Sequence, residues 1–220
     1  MHISSRLLTI VLLAGLQAIP APAQGPQASG LTIEAFVFEN AKREKVDAEV
    51  GRLIVPENRK VPNGKTVELA FVRFKKTGGG DGVPTIYLAG GPGGSGIAAA
   101  TGTRFPLFMA MREFGDVIAF DQRGTGRSKP SLLCKDRFSL SPEIAGERAV
   151  MLEKVATYSR ACREHLQSQG IDLSAYNTEE NADDIEDLRK ALGAKKINLW
   201  GISYGTHLAL AFIKRHSTRV

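Results

Sequence analysis

Five residues near the C-terminal end, Gly201-Ile202-Ser203-Tyr204-Gly205, restrict the fold more than any other stretch of the chain. They follow an apolar run, Lys196-Ile-Asn-Leu-Trp200, that reads as a buried strand. They open a segment, Tyr204–Arg215, whose Leu208, Ala211 and Phe212 share one helical face. A strand that turns at once into a helix forces its central residue into a strained backbone conformation. The positions two before and two after must then lack side chains to avoid collision, and both are glycine. The serine hydroxyl is left exposed at the tip, beside the positive end of the helix. A lone G-x-S-x-G arises readily by chance, but in a strand–turn–helix it marks Ser203 as a candidate nucleophile.

The rest of the chain supplies a matching frame. Of its 23 glycines, nine fall between Gly78 and Gly96. Three β-type stretches precede the densest part: Val50–Val55, Val67–Phe74 and Thr85–Ala89, divided by turns at Pro62-Asn63-Gly64 and Gly78–Gly82. The first two alternate as an antiparallel pair, whereas the third is a short apolar run of the kind buried on both faces. A loose helix interrupted at Pro106 is expected over Ile97–Phe114, then a second buried strand over Asp116–Asp121. A charged helical excursion is expected over Pro142–Gln169, within a broader insertion at about 131–176. Thr178 reads as the N-cap of a helix with Glu179 and Glu180 in its first turn. Ala182, Ile185, Leu188 and Leu192 line its apolar face, and Gly193 stops it. Strands alternating with helices after an antiparallel start predict an α/β fold with a mostly parallel sheet.

The N-terminus carries a different message. Arg6, the 13-residue apolar run Leu7–Ile19 and Ala21-Pro22-Ala23 have the form of a secretory signal peptide cleaved after Ala23. The run is short of the ~20 residues that a membrane span needs, so no stable anchor is expected after cleavage. Residues 24–45 read as a linker and N-terminal extension, and residues 46–220 as the domain. An exported protein meets an oxidising space, where Cys134 and Cys162 are expected to pair rather than to serve catalysis. The 29 Lys and Arg against 23 Asp and Glu give +6, spread along the chain without the clustering that a nucleic-acid surface requires.

Gly90-Gly91-Pro92-Gly93-Gly94-Ser95-Gly96 admits two readings. Gly91-x-Gly93-x-x-Gly96 satisfies a dinucleotide fingerprint, and Asp121 stands 25 positions on, near where a ribose-binding acid belongs. The alternative is a loop whose exposed backbone N–H stabilises an oxyanion. About fifty mature residues of antiparallel β precede this strand, and a nicotinamide pool belongs to the cytoplasm. A dinucleotide fold also has no use for a serine turn two strands later. The oxyanion reading is the stronger, and it implies no cofactor and no metal. Asp121, Arg123 and Arg127 are read as structural, with an Asp–Arg pair closing a tight turn. Trp200 is read as core and Tyr204 as pocket wall.

Leu88–Gly96, Asp121-Gln-Arg-Gly-Thr-Gly-Arg-Ser128 and Gly201–Thr206 together resemble the three signatures of the proline iminopeptidase and tripeptidyl aminopeptidase group of α/β-hydrolases, in family order and spacing, from about Val50 onward. The resemblance implies a serine hydrolase that removes residues from peptide N-termini, with small esters or amides as further substrates. Ser203 would be the nucleophile, and the backbone N–H groups of Tyr204 and Gly91 the oxyanion donors. Ala89 stands where proline iminopeptidases carry His, which weakens a preference for proline. In this fold the acid and then the base follow the serine. After Ser203 come His207 and His216 but no Asp or Glu. His207 is one turn along the serine's own helix, His216 far down it, and His165 lies in the excursion. The expectation is therefore an N-terminal part of the fold, whose triad acid and base are not in this chain. Residues 24–220 alone would then have little activity or stability. The competing expectation is a catalytically incomplete remnant or binding protein.

Overall fold

A computed structural model describes residues 30–79, 82–134 and 147–220. The expected signal peptide at residues 1–23 lies outside the described residues. Six strands form one sheet: β1 (Leu31–Glu39), β2 (Lys45–Pro56), β3 (Thr66–Phe74), β4 (Thr85–Leu88), β5 (Val117–Phe120) and β6 (Asn198–Gly201). Their order across the sheet is β1-β2-β3-β5-β4-β6. The pairings from β1 through β2 and β3 to β5 are antiparallel, and β5, β4 and β6 run parallel to one another. This is an α/β-hydrolase fold with an antiparallel start.

Every residue of β4 and β5 is buried, as expected for strands covered on both faces. Alternation sends Ile86 and Leu88 to one side and Tyr87 and Ala89 to the other. The first side is covered by α4 (Thr178–Ala191) and α5 (Tyr204–Arg215), which bury Ala182, Ile185, Leu188, Leu208 and Phe212. The second is covered by α1 (Gly96–Thr101) and α2 (Phe105–Met111). Trp200 packs there against Tyr87 and Phe108, at ring separations of 4.8 and 5.0 Å. β6 lies at the sheet margin, paired with β4, and α5 leaves Leu210 66% exposed.

Four local expectations need correction. Residues 31–39 are a full strand on β2 rather than part of an extension, because Phe36 and Phe38 pack onto the aromatic layer under α2. The helix over Ile97–Phe114 is broken at Gly102–Arg104; Pro106 is the second residue of the next piece, in the first turn, where a missing N–H costs nothing. The N-cap of α4 is Asn177, whose side chain accepts the Glu180 N–H, so Thr178 is the first helical residue. The strand before the serine is shifted to Asn198–Gly201.

The excursion contributes α3 (Arg148–Ser168), which buries little beyond Leu166. A disulfide between Cys134 and Cys162, with a Cα separation of 5.6 Å, ties this helix to the segment after β5. Closing a loop of 28 residues is worth ~3.5 kcal/mol by chain entropy. Intact-mass measurement of alkylated protein should find no free thiol before reduction and two after it; two alkylated thiols in the unreduced sample would contradict the bond.

Candidate active site

The serine turn is built as its sequence requires. Ser203 has φ 53° and ψ −120°, a left-handed conformation that a residue with a side chain adopts only when its surroundings impose it. What imposes it is close approach on both flanks. A Cβ on Gly205 would lie 2.0 Å from the Leu88 carbonyl oxygen, and one on Gly201 would lie 2.5 Å from that of Gly205. The helix therefore starts directly against the end of β4. Ser203 is exposed at the tip.

The loop after β4 sits against this tip. A Cβ on Gly90 would meet Ser203 Cβ at 2.9 Å and its Oγ at 3.5 Å. Gly91 has φ 120°, a conformation closed to other residues at low cost. As the first residue of α5, Tyr204 has an N–H with no partner inside the helix. Among the described residues, neither the Gly91 nor the Tyr204 N–H meets a protein acceptor.

Asp121 holds this loop in place. It is fully buried and accepts from the Ser95 hydroxyl (2.6 Å), the Ile97 N–H (3.1 Å) and the Arg127 N–H (2.8 Å). Its oxygens are thus committed to joining the two glycine loops, which removes it as a ribose ligand. The expected Asp–Arg closure takes another form. Only the backbone of Arg127 reaches Asp121, and its side chain is exposed. Arg123 runs instead to Asp184 on α4, with which it makes a bidentate pair at 2.6 and 2.7 Å. Its other N–H groups reach the carbonyls of Pro56, Glu57 and Ala175, so all five donors are used by a side chain with no exposure.

Arg59 completes the cluster, pairing with Glu180, Asp184 and Asp187. Burial pushes the Asp187 carboxyl above its ordinary range and outweighs the hydrogen bond from Arg59. Burial and the Glu57 carboxylate push the Tyr176 phenol up, which keeps it protonated to donate to Glu57 Oε1. The start of α4 is thereby fixed to the end of β2 and to the loop after β5. Sequence reasoning missed Arg59, Glu57 and Asp184, since nothing local in the chain marks partners more than 100 positions apart.

Beside the serine turn lies a cleft of about 470 Å³. Tyr204 forms one wall, its hydroxyl 2.9 Å from Thr178 Oγ1, and Pro92, Gly93, Gln122 and Asn181 line other parts. The three described histidines lie apart from it. His165 contacts Gln169, and the His207 ring lies tilted against Tyr204 with centroids 5.9 Å apart. His216 Nε2 is 2.9 Å from Asp183 Oδ1. Burial raises the Asp183 carboxyl, but hydrogen bonds with Arg215 and His216 hold it below its ordinary range overall. This pair fastens α5 to α4 at the end remote from Ser203.

A parallel-centred sheet with a left-handed serine at a strand–helix junction defines the class of α/β-hydrolase folds. Residues 90–220 match the family described as alpha/beta hydrolase fold, and the chain belongs to that family. It is 33% identical over 181 residues to the serine protease Hip1 of Mycobacterium tuberculosis, covering 77% of this chain and 34% of that protein. It is 32% identical over 176 residues to the tripeptidyl aminopeptidase of Streptomyces coelicolor, covering 74% and 32%. To the proline iminopeptidase of Neisseria meningitidis it is 28% identical, covering 70% and 35%. The chain thus spans about a third of the length of these relatives.

Proposed function

We propose that this chain carries the nucleophile and the oxyanion donors of an exported serine hydrolase that releases residues from peptide N-termini through an acyl-enzyme. The observation that carries the reading is the strained, exposed Ser203 pressed against the Gly90–Gly91 loop. Ser203 Oγ adds to the scissile carbonyl as a base takes its proton. The carbonyl π electrons move onto oxygen, and the N–H groups of Tyr204 and Gly91 stabilise the resulting charge. Collapse breaks the C–N bond, the protonated amine leaves, and water later releases the acyl group from Ser203. Peptide substrates are supported by the relatives' names, and export by the form of residues 1–23 together with the Cys134–Cys162 bond. Among the described residues, no helix is long and apolar enough to cross a membrane.

One observation favours a scaffold without turnover. The His216–Asp183 pair, the one carboxylate–histidine pair among the described residues, is about 20 Å from Ser203 along the axis of α5. A fluorophosphonate probe on a form of the protein that also carries the triad acid and base separates the two readings, because only an activated serine reacts. The expected result is a single label on the peptide containing Ser203, lost in Ser203→Ala. An unlabelled wild-type protein, or a label that survives the substitution, would contradict the hydrolase reading.

A further inference from the structure

The chain's positive surplus comes from one stretch. Residues 188–220 hold seven Lys and Arg and no Asp or Glu, against a net charge of +6 for the whole chain. The fold gathers these cations at the end of the sheet remote from Ser203. Arg189 and Lys190 close α4, Lys195 and Lys196 lead into β6, and Lys214 and Arg215 close α5. The Ile197 N–H donates to the Arg219 carbonyl at 2.9 Å, which brings Arg219 beside the start of β6. Ser203 follows the other end of the same strand.

Part of this charge is used within the molecule. Arg189 pairs with Glu186 and Arg215 with Asp183, and cations in the last turns of α4 and α5 complement the negative ends of those helices. Neither role reaches Lys195, Lys196 and Arg219, which lie outside both helices and are exposed. Among the described residues, none of the three has a carboxylate within ion-pair distance. Lys196 donates to the Val220 carbonyl, a neutral partner that leaves its charge uncompensated. Lys190 is held loosely, at 3.8 and 4.0 Å from Glu186 and Asp187.

These side chains line a depression of about 530 Å³ that contains five cations, no carboxylate and no aromatic ring. Its buried member, Arg189, spends its donors on Glu186 and on the carbonyls of Ala194 and Lys195. The remaining cations stand on long, exposed stems and converge on no single point, so the surface suits a field of anionic groups better than one enclosed anion. The absence of aromatic rings removes the platform on which unpaired bases stack. A field of anions without bases is the chemistry of an anionic lipid surface.

We propose that this basic end is a reversible docking surface for an anionic lipid bilayer, which holds the protein with Ser203 facing away from the membrane. Each cation near such a surface contributes about fivefold to partitioning, so the contact is peripheral and is not an anchor. It does not depend on the hydrolase reading, because Ser203 takes no part in it.

Flotation of the full chain with vesicles of phosphatidylglycerol and phosphatidylcholine in equal parts tests this, since vesicle-bound protein rises and aggregated protein does not. The protein should float at low salt, remain behind at ~0.5 M salt, and ignore vesicles of phosphatidylcholine alone. Lys195→Gln combined with Lys196→Gln should weaken partitioning about twentyfold, and the corresponding pair of Arg substitutions should retain it. Arg127→Gln combined with Lys129→Gln is the control. It removes the same charge from exposed side chains in the loop after β5, at the serine end of the sheet, and should cost less than about twofold. Failure to float at low salt, flotation that survives high salt, or equal losses in the two glutamine pairs would each overturn the proposal. So would tighter binding of a short DNA duplex than of the vesicles, or release by inorganic phosphate at unchanged ionic strength.

Discussion

Gly205→Ala should cut the rate of Ser203 labelling by a fluorophosphonate at least ~100-fold while leaving most of the sheet intact. The added Cβ would lie 2.0 Å from the Leu88 carbonyl oxygen and 2.7 Å from its carbon. These are backbone atoms of β4, a buried strand paired on both sides, so relief must come from the helix, which carries Tyr204 and the serine turn with it. A displacement of about 1 Å at a reacting group is enough to cost ~10²-fold. Gly79→Ala is the control, because its Cβ would meet nothing within 4 Å. Labelling of Gly205→Ala at the wild-type rate would show that the tight junction does not set the geometry of Ser203.

Arg123→Leu should lower the unfolding free energy by about 3–5 kcal/mol, the range for breaking a buried ion pair from one side. The change leaves the carbonyls of Pro56, Glu57 and Ala175 without their donor. Asp184, itself fully buried, keeps Arg59 but loses its bidentate partner. Arg123→Lys should restore little, because an ammonium cannot span five acceptors arranged around a planar fork. Denaturant titration of the full chain measures both. A loss under about 1 kcal/mol would mean that the cluster is replaceable by water and does not fix the start of α4.

The elements that could be read from the sequence are those specified by neighbours in the chain. The two glycines flanking Ser203, the apolar stripe of α4 and the short, largely apolar runs of β4 and β5 each state their environment within a few residues. Residues 31–39 were harder, because β1 gains its place from β2 and from Phe74 and Phe105, which no local pattern reveals. The same limit explains Arg123. Its charge is visible in the sequence, and local spacing points to Asp121 in the same turn as its partner, whereas the fold supplies Asp184 from a helix 61 positions away. Asn181 did leave a signal. It lies four residues before Ile185 and seven before Leu188, so together with the buried Asp184 it interrupts the apolar stripe with polar groups.

The central claim is that Ser203 forms a covalent intermediate with the acyl part of a peptide. It is tested most directly by mixing a form of the protein that also carries the triad acid and base with a tripeptide p-nitrophenyl ester and acid-quenching within the burst. The account predicts an intact mass raised by one tripeptidyl group, carried by the fragment containing Ser203 and absent in Ser203→Ala. Release of p-nitrophenol without an adduct on Ser203, or an adduct that persists in Ser203→Ala, would contradict it.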